Sequence, residues 1–158
     1  MAVSAALAAL TCLVVGITDG DTIRVRCGEP GSYQAHNIRI SAIDAPERRQ
    51  PFGNRSREAL SALCFKVDAT VTPRTTDRWG RTVADVQCRG EDVGSHMVGN
   101  GWAWVFDRYA RGYAHLYPVQ EQAMQARRGL WQAVDTAEPP VKPWEWRRQP
   151  PQREAVAQ

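Results

Sequence analysis

The sequence predicts an α+β fold, a five-stranded Greek-key barrel carrying about three helices. Three observations support that expectation. Short runs of alternating apolar and polar residues recur along the first ninety positions, a helix-period stretch separates the third run from the fourth, and further helical stretches follow the last strand pair. At 158 residues the chain is one ordinary domain with room for a sizeable core. Hydrophobic content of 43% with 23% charged residues excludes a disordered chain. There is no internal repeat.

The first element is a hairpin over residues 12–27. Its corner, Thr18-Asp19-Gly20-Asp21, sets an Asp-Gly pair between alternating runs. This is the strongest short-range hairpin signal, because Gly accepts the positive φ that a tight primed turn requires. With Asp19 and Gly20 as a two-residue loop, Thr18 faces Asp21, and counting outward sets Cys12 opposite Cys27. A bridge between those two pins the open end of the hairpin. Cys64 and Cys88 then pair by elimination, tying a helix end to a later strand. Four cysteines allow three connectivities, and four reduced thiols in a cytosolic chain are the alternative. The cysteines lack the close pairs of a zinc site, and the three histidines are scattered.

Residues 33–43 read as the third strand, with Ile38, Ile40 and Ala42 on one face and Arg39 on the other. Pro46 and Pro51 break the next stretch into a loop, and Ser56 is a good N-cap for a helix whose buried side is Leu60, Leu63 and Cys64. Strands follow at 68–73 and 81–88, with a turn at Asp77-Arg78-Trp79-Gly80 between them. A short, glycine-weakened helix over 91–101 stops at Gly101, and Trp102–Phe106 is strand-like. The last helix runs over 116–131, with Arg127 and Arg128 at its C-terminal dipole and Gly129 as cap. This order of elements suits the oligonucleotide/oligosaccharide-binding (OB-fold) barrel.

Domain limits follow from composition. Residues 12–134 form the domain, and 1–11 are the remnant of a leader or a disordered N-terminus. The leading stretch carries no charge before Asp19 and is too short for a membrane span, which needs about 20 apolar residues. Its small residues suit a secretory cleavage site, although a basic n-region is missing. Export to the periplasm or the medium is the expectation, in keeping with the cysteine pairing. Pro139, Pro140, Pro143, Pro150 and Pro151 make 135–158 an irregular tail, its first half anchored by Trp144 and Trp146 and disordered beyond roughly Arg148.

Net charge is +3, and its distribution says more than its size. Arg48, Arg49, Arg55, Arg57, Arg74, Arg78 and Arg81 cluster in the middle of the chain, while Lys66 and Lys142 are the only lysines. Forked guanidiniums suit phosphate or carboxylate, though a solvated basic loop is the commoner meaning of any one such cluster. Nothing in the sequence marks a protein partner.

Residues with chemical potential fall at three places: Asp21 in "DGDT", Arg39, Asp44 and Glu47 in "RISAIDAPE", and Asp77 and Arg81 in "TDRWGRT". Each alone has a bland meaning, as a turn residue, a Pro-turn acid or a structural ion pair. Together, three carboxylates and two arginines on neighbouring strands suit metal-assisted phosphodiester hydrolysis. A hard cation such as Ca²⁺ takes oxygen ligands. Arginines clamp charge on phosphoryl oxygens, and a remaining carboxylate orients or deprotonates water.

These motifs, with "GWAWV" and "RRGLW" after them in consistent order from about Val14 to Trp131, resemble the staphylococcal nuclease (thermonuclease) family. The resemblance implies a Ca²⁺-dependent hydrolase of DNA and RNA that cleaves on the 5′-oxygen side with little sequence preference. Carried over by position, it assigns calcium ligation to Asp21, Asp44 and the carbonyl of Ala45. It assigns water activation to Glu47 and phosphate clamping to Arg39 and Arg81. Substrate contacts fall on Arg78, Trp79, Arg48 and Arg49, with Tyr109 or Tyr113 as the stacking tyrosine. Ala45 stands where the best-known member has Thr, and Trp79 replaces a Tyr. A non-catalytic OB-fold nucleic-acid-binding module is the rival reading, since fold alone does not imply function.

Overall fold

A computed structural model describes residues 8–150. In chain order the elements are β1 (Leu10–Asp19), β2 (Thr22–Cys27), β3 (Gln34–Ile40), β4 (Ile43–Asp44), α1 (Gly53–Cys64), β5 (Asp68–Thr76), β6 (Thr82–Cys88), β7 (Glu91–Asp92), α2 (Val93–Gly99), β8 (Trp104–Val105), α3 (Leu116–Gln125) and α4 (Pro143–Trp146). Single 3₁₀ turns cover Asp107–Tyr109 and Gly129–Ala133.

Alternation along the five long strands puts Val14, Ile23, Val25, Ile38, Ile40, Val71 and Val86 in one core. The sheet order β3-β2-β1-β5-β6 is closed by a β3–β6 pairing, giving the OB-type barrel. That seam is parallel, with Ile38, Arg39 and Ile40 beside Thr82, Val83 and Ala84, whereas the other pairings are antiparallel. Parallel neighbours need a long crossover, and α1 lies within it. The short β4–β8 pair forms a second sheet that sets Asp44 opposite Trp104. Among the described residues no helix is long and apolar enough to cross a membrane.

Both expected bridges are present, Cys12–Cys27 and Cys64–Cys88. They close spans of 15 and 24 residues, each reducing the entropy of the unfolded chain by an amount worth about 3 kcal/mol in the loop-closure picture. The hairpin reaches its register by a different route from the one expected. Asp19 faces Thr22, so the loop residues are Gly20 and Asp21. Two bulges in β1, at Val15 and Thr18, each absorb one extra residue and bring Cys12 back opposite Cys27. Gly20 is not left-handed either. It is glycine because a Cβ there would collide with Ser56 Oγ and come within 2.9 Å of the Ala45 Cβ, so the corner packs directly against α1.

Other boundaries move for similar tertiary reasons. The third strand ends at Ile40, and Ala42 turns the chain with φ 64° rather than extending the strand. Ser56 is not the N-cap of α1. The helix starts at Gly53 with Phe52 as cap, and Ser56 is buried inside it, donating to the Trp102 carbonyl at 2.7 Å. The last helix stops at Gln125. Arg127 is left-handed, and Arg128 reaches across to donate to the Gly99 carbonyl at the end of α2. Gly129 lies against Gly101, where a Cβ would come within 2.8 Å of the Asn100 carbonyl.

Within the tail, Trp144 packs beside a second apolar cluster of Trp104, Ala123, Leu130 and Trp131. The leader expectation for 1–11 falls mostly on residues outside the described range, as does most of the expected disorder past Arg148.

Candidate active site

The hairpin corner and the β3–β4 segment meet at two buried acids. Asp21 is 5% exposed and Asp44 1%. Asp21 Oδ1 accepts from the Thr22 hydroxyl at 2.8 Å, and Oδ2 accepts from the Ala45 N–H at 2.8 Å. The Ile40 N–H donates to the Asp21 carbonyl at 2.9 Å, which fastens the loop to the end of β3. Asp21 is thus held by residues up to 24 positions away, which a solvated turn residue would not need. Asp44 sits in β4, fixed by the pairing with β8.

Arg39 lies between the two acids because its strand position faces Thr22. One guanidinium nitrogen is 3.5 Å from Asp21 Oδ2 and 3.4 Å from Asp44 Oδ1. Glu47 stands at the rim on the loop after β4. Its N–H donates to Gln50 Oε1 at 3.0 Å, and its carbonyl accepts from the Gln50 N–H at 2.9 Å. Gly53 lets that loop approach α1, since a side chain there would run into the Glu47 carbonyl.

Two residues of this cluster were not singled out in the sequence. Asp19 is the first. The sequence places it in the turn, yet its Oδ1 accepts from the Asp21 N–H at 3.2 Å. The other is Arg147, in the tail. Its guanidinium grips both Asp44 oxygens, at 3.1 and 2.6 Å, and Glu47 Oε1 at 2.7 Å. The "DGDT" motif itself was a signal for Asp19. No local pattern links Arg147 to an acid 103 positions earlier.

Crowding of acids controls their protonation. Burial first, and then the neighbouring Asp21 charge, push the Asp19 carboxyl up to about 8. Burial pushes Asp44 up to about 6 against the pull of Arg147 and Arg39. Burial works upward on Asp21 as well, but Arg39 and the hydrogen bonds from Asp19, Ala45 and Thr22 outweigh it, so Asp21 lies below the usual carboxylate value. With Asp19 holding its proton at neutral pH, the carboxylates of Asp21, Asp44 and Glu47 face the Arg39 and Arg147 guanidiniums.

Arg81 stands apart, at the tip of the β5–β6 hairpin. Its Nε donates to Asp77 Oδ2 at 2.7 Å, and Asp77 Oδ1 accepts from the Arg81 and Trp79 N–H groups at 2.9 Å each. Trp79 is 67% exposed, with the Arg78 guanidinium 4.2 Å and that of Arg81 5.3 Å from its ring. The β3–β6 seam puts this tip at the same end of the barrel strands as Arg39: Arg81 immediately precedes Thr82, which pairs with Ile38, and Arg39 pairs with Val83. Arg48 and Arg49 are exposed on the loop after Glu47. Tyr109 is exposed, with its ring edge-on to Phe106. Tyr113 is half-buried and donates its hydroxyl to Asp85 at 2.5 Å, on a face that also holds Arg74.

A family model described as staphylococcal nuclease homologue matches residues 37–133. The chain belongs to the staphylococcal nuclease family. A micrococcal nuclease of Shigella flexneri is 36% identical, over 85% of this chain and 79% of its own length. Two uncharacterized endonucleases are similar. The Haemophilus influenzae protein is 35% identical over 88% of this chain and 74% of its own length. The Escherichia coli protein is 39% identical over 85% of this chain and 82% of its own length. This staphylococcal nuclease homologue is accordingly a phosphodiester-hydrolysing nuclease, and nucleic acid is its class of substrate.

Among the described residues no three His, Cys, Asp or Glu side chains converge as a preformed metal cage. The donor chemistry still fits a hard cation. The acids supply only oxygen, the two central ones are buried, and a divalent cation would offset the burial that, together with the neighbouring Asp21 charge, raises Asp19 and Asp44.

Proposed function

We propose that the chain is a calcium-dependent nuclease that hydrolyses DNA and RNA phosphodiesters with little sequence preference. Attack is in line and on the 5′-oxygen side, leaving 3′-phosphate ends. One observation carries this reading: Asp21 and Asp44 are buried side by side with Arg39 between them and Glu47 on the rim. Asp21, Asp44 and the Ala45 carbonyl would hold the cation. Bound there, it would lower the negative charge of the site and polarise a phosphoryl oxygen.

The chain's own groups do the rest. Arg39 and Arg81 approach the phosphate from the two strands of the β3–β6 seam and stabilise the charge that grows on its oxygens. Glu47 accepts a proton from, or orients, the attacking water. Trp79 offers a base-stacking face beside Arg78, and Arg48 and Arg49 add phosphate contacts, as sequence-independent binding requires. Tyr109, exposed beside Phe106, is better disposed than Tyr113 to stack on a nucleotide. Two disulfides favour function in an oxidising compartment, secreted or periplasmic. The domain proper is 12–134, with 135–158 as a tail.

The test is degradation of plasmid DNA and of single-stranded RNA with calcium, with magnesium and with chelator, for the wild type and Glu47→Gln. Calcium-dependent cutting of both substrates that Glu47→Gln abolishes is the expected result. Tight binding of nucleic acid without cleavage would favour the non-catalytic OB-fold module.

A further inference from the structure

Arg147 holds acids that the proposed reaction needs free. The two Asp44 oxygens and Glu47 Oε1 all accept from one guanidinium. A cation cannot take up Asp44 while both its oxygens are forked by Arg147, and Glu47 Oε1 cannot receive a proton from water while it is paired. The rest of the segment lies along the same face. Trp144 stacks on Phe106 with ring centroids 5.0 Å apart and planes 16° from parallel, and Phe106 directly follows the β8 strand that pairs with Asp44. Gln50, which holds the Glu47 loop, donates its side-chain amide to the Val141 carbonyl. Pro143 is buried.

How the segment is held matters as much as where it lies. The backbone hydrogen bonds of α4 run within the segment, from Glu145 and Trp146 to Lys142, from Arg147 to Pro143 and from Arg148 to Glu145. Its attachment to the body is the Trp144 ring, stacked on Phe106 and packed beside the Trp104–Trp131 cluster, a buried proline, one amide and one guanidinium whose side chain is 41% exposed. No sheet or long helix has to break for it to leave. A flat aromatic ring beside a positive charge, laid across an acidic cleft, also copies the two things a nucleotide with its cation presents: a base face and positive charge against the carboxylates.

We propose that residues 141–148 form an autoinhibitory strap, with Arg147 occupying the cation's place on Asp44 and Glu47 and Trp144 occupying a base-stacking place on Phe106. A divalent cation and a nucleic-acid strand displace the strap together, so the nuclease is held off until both are present. This rests on the functional reading above in naming what the strap excludes.

The test is calcium binding by titration calorimetry on the full chain, comparing the wild type with Arg147→Gln and Trp144→Ala, and nuclease assays on the same three proteins. Arg147→Gln removes the competing charge and is expected to tighten calcium binding tenfold or more. Trp144→Ala loosens the strap and tightens it by less. Both variants cut at lower calcium than the wild type. Thermal melts check that each variant is folded, and Arg147→Lys, which keeps the charge but not the fork, should fall between. Unchanged or weaker calcium binding by folded Arg147→Gln overturns the strap, as does absence of calcium binding by every variant. Tighter binding without cleavage by any of the proteins upholds the strap and rejects the nuclease reading instead.

Discussion

Asp21 and Asp77 both lie at the ends of hairpins and both face an arginine, but their surroundings differ. Asp21, with Asp44 beside it, is out of water and braced by partners from the hairpin, from β3 and from the segment after β4. Asp77 has partners only within its own turn, at Trp79, Gly80 and Arg81. Burial works upward on Asp77 too, yet the hydrogen bonds from Arg81 and the turn N–H groups hold it below the usual carboxylate range. At Asp19 and Asp44 burial prevails and the shift is upward. The same two residue types therefore build a rigid, charge-strained cleft in one place and a locally ordered, water-facing tip in the other. The cleft suits work on a phosphate, and the tip suits holding a strand of variable sequence.

Substitutions can break that division. Arg39→Gln should lower kcat by about 10²–10³-fold, the usual loss for one donor to a developing oxyanion. Arg78→Gln, at the tip, should raise KM less than tenfold with kcat kept. Equal losses from the two in steady-state kinetics would erase the distinction. Asp77→Ala removes the acceptor for two backbone N–H groups and the Arg81 side chain. It should cost about 1 kcal/mol in a denaturant melt and lower kcat/KM about tenfold. Asp77→Asn keeps an acceptor and should retain most of the stability. Trp79→Ala should weaken single-stranded DNA binding by about 1–3 kcal/mol, restored by Phe, as measured by fluorescence anisotropy with the inactive Glu47→Gln background.

A further effect concerns pH. A carboxyl raised in the folded state binds more protons there than in the unfolded chain, so stability falls as pH rises from about 4 through the folded values. For Asp44 that value is about 6 and for Asp19 about 8. The metal-free protein should therefore lose melting temperature between pH 5 and 8 through the cleft. Asp21, held low, acts in the opposite sense only below pH 4. Calcium should stabilise more at pH 8 than at pH 5. A tip-based Asp77→Asn variant should leave this pH dependence unchanged.

Legibility in the sequence divides along the same line. Strands and barrel class followed from alternation, and the bridges from the hairpin count. That count succeeded although the corner is one residue further on, because the bulges at Val15 and Thr18 compensate. Local patterns carry neither the bulges nor the reason for Gly20, which lies in Ser56 and Ala45, far along the chain. Ser56 looked like a cap because its chemistry suits caps; packing against Trp102 used it otherwise. The acids and arginines were visible as motifs, whereas Arg147 was not, because its role depends only on where the tail comes to rest.

The parallel seam between β3 and β6 has a consequence for when the molecule can act. Arg39 lies on β3 and Arg81 just before β6, strands whose pairing spans α1 and β5. Neither the β1–β2 nor the β5–β6 hairpin alone assembles the pair, so the chain lacks the proposed clamp until this long-range seam has closed. The proposed phosphate clamp therefore forms only with closure of the barrel, and a partly folded chain should not cleave nucleic acid.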